Sequence, residues 1–243
     1  MIREVTGIVI NEIPYGDTSK ILNVFTENLG IIGVIAKGAK SVKSHLRNVT
    51  EKYTYGKFYI YYKEDKLSIL SDVDIIDNFK VLKNDIVLFG YLAYVVDLCS
   101  QVYKQNNSNE IYNLMIKTLK KMNNDLNPLV LTNILEIKLL DYAGVALNLN
   151  ECALCGNKTN IITINGDAGG YICTNCRTNE IIYDEKTIKM LRMYYYVEID
   201  SITSLNISDS VVKNINDFLD LYYERYTGLY LKSKKFLKNV INL

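Results

Sequence analysis

The sequence has little of what marks a disordered, exported or membrane-spanning protein. Only two prolines occur in 243 residues, and no low-complexity tract interrupts the chain, so long disordered linkers are not expected. The opening stretch, MIREVTGIVINE, carries charges early and lacks a continuous apolar run, so we expect no signal peptide. The longest uncharged apolar run, residues 86–96, is a predicted buried helix, because a membrane span needs roughly 20 such residues. We therefore expect a soluble cytoplasmic protein with no membrane partner.

Histidine and excess positive charge are also scarce. The only histidine, His45, lies among cations, which are poor surroundings for a general base. No phosphate-binding, hydrolase or metalloprotease motif is found, so the chain is not predicted to be an enzyme. The formal net charge is only +1, so any site for a polyanion must be a local patch.

The N-terminal third is predicted to form strands. Five short β-rich segments lie within residues 1–77, and closure into a small barrel would remove their exposed edges. The oligonucleotide-binding (OB) five-stranded barrel is the leading candidate, with an SH3-like barrel or the end of a sandwich as alternatives. The segments are VTGIVINEI, SKILNVFTEN, LGIIGVIAKG, EKYTYGKFYIYY and KLSILSDVDII.

From about residue 79 onward, apolar residues recur with the spacing of an α-helix, so helices are predicted. Ser108, Asn127, Asp184 and Ser208 are the expected N-caps of successive helices. The predicted fold class is therefore α+β. An OB-type β-barrel (1–78) precedes an α-helical domain (79–243), which carries an inserted four-cysteine module at 150–178.

Four of the five cysteines form two C-x-x-C pairs separated by 17 residues. This spacing is typical of zinc sites, and Gly156 suits the left-handed turn that such a cysteine pair needs. Four thiolates leave no open position on the metal, so one structural Zn²⁺ per chain is favoured over a catalytic, iron–sulfur or redox site. Cys99 is expected to be a core residue. The predicted ligands are Cys152, Cys155, Cys173 and Cys176.

Two features of the barrel region suit nucleic acid. The stretch KGAKSVKSHLRN (37–48) contains four cations and no acid, which suits phosphate contacts, although a solvated loop would look the same. The predicted DNA-binding residues are Lys37, Lys40, Lys43 and Arg47. The next strand holds six aromatic residues within 53–62, and those that face outward have rings on which bases can stack.

The order of these parts resembles the RecO family of recombination mediators over nearly the whole chain. The resemblance rests on F-T-E-x-x-G (25–30), A-K-G-A-K-S-x-K-S (36–44) and the Gly-Gly-Tyr before the second cysteine pair (169–171). It implies binding of single- and double-stranded DNA, annealing of complementary strands and help in loading RecA. It also implies RecR and the single-stranded-DNA-binding protein as partners, a nucleoid-associated location and no enzymatic turnover. The DNA-contacting cations of the family map to Lys37 and Lys40, and the near-neutral net charge departs from what a DNA-binding chain is expected to have.

A partner site is predicted at the C-terminal end. The acidic, apolar-ended tail of the single-stranded-DNA-binding protein needs an apolar groove with cations at its rim. Segment 221–231 offers apolar residues, and Lys232, Lys234 and Lys235 offer the cations. The alternative is that these apolar residues are ordinary helical core and that the lysines only keep the terminus soluble.

Two other functions stay open for the chain as a whole. One is a zinc-ribbon adaptor protein of transcription or translation with a structural barrel, and the other is a nuclease whose acidic ligands form no recognisable motif.

Overall fold

The structure is a computed structural model that describes residues 2–241. The chain forms two compact units, one made of residues 1–123 with 233–243 and the other of residues 124–232. We call them unit 1 and unit 2.

Unit 1 contains the predicted five-stranded barrel. Its strands pair in the order β1-β2-β3-β5-β4 and β1 closes the barrel against β4. The pairing of β3 with β5 is parallel and all the others are antiparallel. This order is that of the OB-type barrel, so the predicted α+β class with an OB-type barrel is confirmed. The strands are β1 (Ile2–Tyr15), β2 (Ser19–Thr26), β3 (Gly30–Ala36), β4 (Tyr55–Tyr61) and β5 (Ser68–Asp77), with the short helix α1 (Leu46–Val49) between β3 and β4.

The barrel core follows from alternation along the strands. Along β4, Phe58 and Ile60 point inward and are fully buried, while Lys57 and Tyr61 are exposed. Val24 and Val34 fill the same core from β2 and β3. Alternate residues of the strands therefore give one apolar face to the barrel interior, while the opposite face is open to solvent in parts, as at Lys57 and Tyr61 of β4.

Four helices complete unit 1: α2 (Lys80–Asn84), α3 (Ile86–Asn106), α4 (Asn109–Asn123) and α8 (Lys232–Ile241), whose first residue belongs to unit 2. Asp85 caps α3, accepting from the N–H groups of Val87 and Leu88 at 2.9 Å each, and it is not among the four caps that the sequence predicts. By length and composition α3 could cross a membrane, but 56% of its most apolar stretch is buried within the described structure. The core helix of a globular unit has this property.

The compact units do not follow the expected division at residue 78. The ring of Phe25 in β2 contacts Tyr103 of α3 and Tyr112 of α4, with centroids 4.6 and 5.5 Å apart, and so joins these helices to the barrel. Helix α8 packs on the same unit, where Leu237 and Val240 lie so close to Gly90 of α3 that a side chain there would collide with them. The division into a DNA-binding domain and a helical domain stays a prediction.

Unit 2 is built from helices and one β-hairpin. Its elements are α5 (Pro128–Tyr142), β6 (Ile161–Asn165), β7 (Gly170–Cys173), α6 (Glu185–Tyr196), a 3₁₀ turn (Ile199–Ser201) and α7 (Asp209–Tyr226). The predicted caps Asn127 and Asp184 are confirmed, since both side chains accept from N–H groups of the first helical turn. Ser208 precedes α7, but its hydroxyl contacts that of Ser210 and caps no N–H group.

Candidate metal centre and nucleic-acid interface

The four paired cysteines converge on one point. Their sulfur atoms all lie within 4.8 Å of one another, and those of Cys155 and Cys173 are 3.7 Å apart. Four sulfurs at about 2.3 Å from a tetrahedral zinc ion would lie about 3.8 Å from each other. The cluster therefore has the donor set and the spacing of a four-thiolate metal site.

The backbone forms the same kind of turn at each cysteine pair. The N–H of Gly156 donates to the carbonyl of Cys152 (2.9 Å), and Gly156 has the left-handed φ of +72° that the sequence predicted. At the second pair, the N–H groups of Cys176 and Arg177 both donate to the carbonyl of Cys173 (3.1 Å each). Both turns bring the second sulfur of a pair back beside the first.

The β-hairpin joins the two pairs. Strand β7 ends at Cys173, which pairs with Ile161 of β6, and the N–H of Thr174 donates to the carbonyl of Asn160. The Cys152 loop is tied to the same hairpin, because the N–H of Ala153 donates to the carbonyl of Tyr171 (2.7 Å). The hairpin register therefore decides that the two distant pairs meet.

The thiols influence one another's protonation. Burial raises the pKa of Cys152, but the backbone N–H groups of Cys173, Leu154 and Cys155 outweigh it and lower the pKa to about 6. Hydrogen bonding with the thiols of Cys155 and Cys173 raises the pKa of Cys176 to about 12. Four adjacent thiolates repel one another, so full deprotonation needs a cation among them, which is what a bound metal ion supplies.

Cys99 is separate from this cluster. It is fully buried on α3, as the sequence predicted, and burial raises the pKa of its thiol. Within residues 2–241, the four paired cysteines form the only group of three or more His, Cys, Asp or Glu side chains positioned to hold a metal ion. No set of converging carboxylates of the kind a two-metal nuclease uses is therefore present in that range.

The predicted DNA-contacting residues lie together in the connection between β3 and β4. Lys37, Lys40, Lys43 and Arg47 are all exposed, and none of them forms an ion pair with another described residue. The loop is held against the β1–β2 turn, where the N–H of Lys40 donates to the carbonyl of Thr18 (2.7 Å). The ammonium of Lys40 also donates to the carbonyl of Gly16 (3.3 Å), and Arg47 lies on the short helix α1. The four exposed cations thus belong to an anchored connection at one end of the barrel.

The six aromatic residues of 53–62 divide into packing and outward groups. Tyr53 and Tyr55 are buried against Phe89 and Phe79, respectively, and Phe58 is in the barrel core. Tyr62 lies under the guanidinium of Arg3 (5.2 Å). Tyr59 and Tyr61 share the outward face of β4 with Lys57.

The outward tyrosines have different surroundings. The hydroxyl of Tyr59 donates to Asp74 (2.8 Å), and this hydrogen bond raises its pKa to about 12. Asp72 belongs to the same acidic stretch of β5, and its Oδ1 lies 3.7 Å from Nε2 of His45. Tyr61 is 46% exposed, so of the two it offers the more open ring.

The predicted partner residues are only partly accessible. Lys232 and Lys235 are exposed, whereas Lys234 is half-buried with its ammonium 5.2 Å from the centre of the Tyr94 ring. In the apolar segment 221–231, Tyr222 and Tyr223 are buried and donate to carbonyls of Val145 and Glu136. Leu221 and Tyr230 remain exposed at 69% and 76%.

The two units carry opposite charge, a feature that we did not identify from the sequence. Unit 1 has 19 Lys and Arg against 13 Asp and Glu, which gives +6, and unit 2 has 9 against 14, which gives −5. These values add to the +1 of the whole chain. The near-neutral total therefore conceals a basic unit that contains the barrel, and counting by unit rather than by chain reveals it.

Comparison with known proteins agrees with this arrangement. The family model described as "Recombination protein O N terminal" matches residues 1–79, and that described as "Recombination protein O C terminal" matches residues 83–235. The chain is 31% identical over 238 residues to the DNA repair protein RecO of Listeria monocytogenes serotype 4b (strain CLIP80459), covering 96% of this chain and 93% of the relative. It is also 31% identical over 241 residues to the DNA repair protein RecO of Bacillus subtilis (strain 168), covering 98% and 94%. The chain therefore belongs to the RecO family of DNA repair proteins.

Proposed function

We propose that this chain is a recombination mediator that binds single- and double-stranded DNA and anneals complementary strands. In this role it assists RecA loading together with RecR and the single-stranded-DNA-binding protein. The observation that carries the proposal is the OB-type barrel of a +6 unit, with four exposed cations that form no ion pair with a described residue. DNA phosphates are attracted to such a patch irrespective of base sequence, as annealing of arbitrary strands requires.

The DNA surface on this proposal has two parts. Lys37, Lys40, Lys43 and Arg47 neutralise phosphates, and Tyr61 on the outward face of β4 stacks on bases of a single strand. Base stacking needs an unpaired base, so the tyrosine contributes to single-stranded binding and little to duplex binding. When the same basic patch binds two strands, its cations neutralise phosphates of both strands and reduce the repulsion between them. Complementary strands can then pair more easily.

The metal on this proposal is Zn²⁺, one per chain, bound by Cys152, Cys155, Cys173 and Cys176. Zinc suits a tetrahedral set of four thiolates and has no redox chemistry of its own. When bound, it supplies a fixed cross-link between the two cysteine turns. The residues themselves leave no ligand position for water, so the site is structural.

The tail of the single-stranded-DNA-binding protein is proposed to bind at helix α8. Lys232, Lys234 and Lys235 provide cations for its acidic residues, and Phe236 provides an apolar contact. Phe236 is 36% exposed and packs edge-on against Phe89, with centroids 6.4 Å apart. The basic charge of unit 1 supports an acidic ligand at this helix.

The tail site can be tested by titrating a labelled acidic tail peptide. We expect the Lys232→Ala, Lys234→Ala, Lys235→Ala variant to bind the peptide about tenfold more weakly than the wild type. A control variant loses three exposed lysines of unit 2 (Lys158, Lys186 and Lys189) and should bind normally. Equal affinity for the α8 variant and the control would show that the tail binds elsewhere.

The function itself can be tested with labelled single strands and duplexes in the presence of Mg²⁺. The proposal predicts binding of both DNA forms, faster pairing of complementary strands and no cleavage. A nuclease would shorten the strands, and a zinc-ribbon adaptor with a structural barrel would neither bind DNA nor accelerate pairing. Either result would contradict the proposal.

A further inference from the structure

Unit 2 contains an apolar groove that the DNA-binding role does not use. It lies between the hairpin region and helix α7, and its walls include Ile164, Ile181, Tyr183, Phe218, Leu221 and Tyr226. Among these apolar residues, Ile181 and Leu221 are the most exposed, at 73% and 69%. Two large aliphatic side chains exposed at the same groove offer a surface that an apolar group of a partner can cover.

The size of the groove limits what it can receive. Its volume is about 250 Å³. Pockets for cofactors and drug-sized ligands usually measure about 300–1,000 Å³, so this groove is better matched to one or two side chains of a peptide. An aliphatic or aromatic anchor residue fits this description.

The charged groups around the groove determine which sign of charge a ligand should carry. Asp167 is balanced by Arg225 (3.0 Å) and accepts a hydrogen bond from Tyr226 (2.6 Å). Glu180 accepts from Asn165 (2.6 Å), which holds its pKa down at about 2. Its carboxylate forms no ion pair with a described residue, although the Nε–H of Arg177 donates to its main-chain carbonyl (2.8 Å). Two carboxylates and two guanidinium groups therefore lie at the rim formed by the hairpin region and Arg225, so the sign of its charge depends on the rest of helix α7.

Helix α7 gives the rim its excess of negative charge. Glu224 is exposed one turn after Leu221 and so lies on the same face of the helix. It forms no ion pair with any residue between 2 and 241. Unit 2 as a whole carries −5, which repels DNA phosphates and acidic peptides alike.

We propose that this groove binds a basic protein segment, with an aliphatic or aromatic anchor between Ile181 and Leu221 and flanking Lys or Arg residues beside Glu180 and Glu224. The apolar anchor supplies most of the affinity, and the carboxylates supply orientation and rate of association. The site is thus distinct in charge from helix α8, which is proposed for an acidic tail. One chain can then hold an acidic and a basic partner on separate units.

The proposal can be tested by selecting a random peptide library, displayed on phage, against the full metal-loaded protein. Counter-selection uses the Ile181→Ser, Leu221→Ser variant, whose two changes are at exposed positions. We expect the enriched peptides to share one large apolar residue flanked by Lys or Arg. Enrichment of acidic peptides, or no enrichment that depends on Ile181 and Leu221, would overturn the proposal.

The affinity of a selected peptide then gives the contributions of individual residues. Leu221→Ser should weaken binding about tenfold, as expected for the loss of one buried anchor. Glu224→Gln should weaken it about two- to threefold at low salt and less at high salt. Ile182→Ser is the matched control, because Ile182 is 57% exposed beside Ile181 but does not line the groove. If Leu221→Ser and Ile182→Ser weaken peptide binding equally, the peptide does not bind specifically in the groove, and the proposal is wrong.

Single-stranded DNA provides the last control. All these variants should bind DNA as the wild type does, since their substitutions lie in the acidic unit. Displacement of the peptide by excess single-stranded DNA would identify the groove as a nucleic-acid surface and overturn the proposal. If the wild type does not bind DNA, the proposed mediator function is wrong. The peptide measurements would still test the groove, because they do not depend on DNA binding.

Discussion

The sulfur atoms of Cys155 and Cys173 lie 3.7 Å apart, although 18 positions separate the two residues in the sequence. They meet because β6 and β7 pair so that Cys173 lies opposite Ile161, at the end of the hairpin nearest the first cysteine turn. This region has a small apolar cluster that includes Cys152, Ile172 and Cys173. So small a core favours metal ligation as the main source of stability for the module.

Removing one cysteine should release the metal. We expect the wild type to contain about one zinc per chain and Cys152→Ser, with three thiolates, to contain much less after dialysis against a weak chelator. Elemental analysis of reduced protein measures this. Cys99→Ala is the control, since Cys99 is buried elsewhere and should keep the metal while losing some stability. Wild-type protein free of zinc after refolding with the metal would contradict the assignment.

The basic loop should determine the salt dependence of DNA binding. With three or four cations on phosphates, log affinity for a single strand should fall with log salt at a slope of roughly −2 to −3. Lys37→Ala, Lys40→Ala should reduce that slope by about 1 to 1.5 and weaken binding of all sequences equally. The control Lys158→Ala, Lys186→Ala removes two exposed lysines from the acidic unit and should leave the slope unchanged. If the loop variant has the same slope of log affinity against log salt as the wild type, the loop is a solvated surface loop that does not contact DNA phosphates.

The outward tyrosine of β4 should distinguish single strands from duplexes. Stacking of a base on an aromatic ring is worth about 1–3 kcal/mol, so Tyr61→Ala should weaken single-stranded binding at least about fivefold. Duplex affinity should change little because paired bases are not free to stack. Tyr230→Ala, which removes a more exposed ring from unit 2, is the control. Equal effects of Tyr61→Ala on both DNA forms would exclude stacking.

Two of the three α-helix starts of unit 2 provide a stability test. Asn127 accepts from the N–H groups of Leu129 and Val130 at 3.0 and 3.1 Å, so Asn127→Ala should lower the free energy of unfolding by about 1 kcal/mol. Ser208 occupies the same position before α7 without such a bond, so Ser208→Ala should change it by less than about 0.5 kcal/mol. Denaturant unfolding of the metal-loaded variants measures both. A larger loss in Ser208→Ala would contradict the hydrogen bonding described here.

Local features were predictable where a short stretch of chain decides them. The strands, the Asn127 and Asp184 caps and the left-handed Gly156 each depend on a few neighbouring residues, and the structure has them. The convergence of the four cysteines was predictable because metal spacing is a strong constraint.

Features that depend on distant packing were not predictable. The contacts of Phe25 with Tyr103 and Tyr112, which join the barrel to two helices, leave no local signal. Helix α8 packs close to Gly90 of α3, which the sequence alone does not mark as a packing site. The opposite charges of the two units become visible only when the units are known, because they nearly cancel along the chain.

Annealing of complementary strands coated with the single-stranded-DNA-binding protein tests the central claim most directly. Two labelled strands are coated separately and mixed, and their pairing is followed by fluorescence transfer. Three proteins are compared: the wild type, the loop double variant (Lys37→Ala with Lys40→Ala) and the unit 2 double variant (Lys158→Ala with Lys186→Ala). We predict that the wild type and the unit 2 control accelerate pairing of coated strands, and that the loop variant does so at most weakly. Failure of the wild type to accelerate pairing, or full activity of the loop variant, would contradict the account.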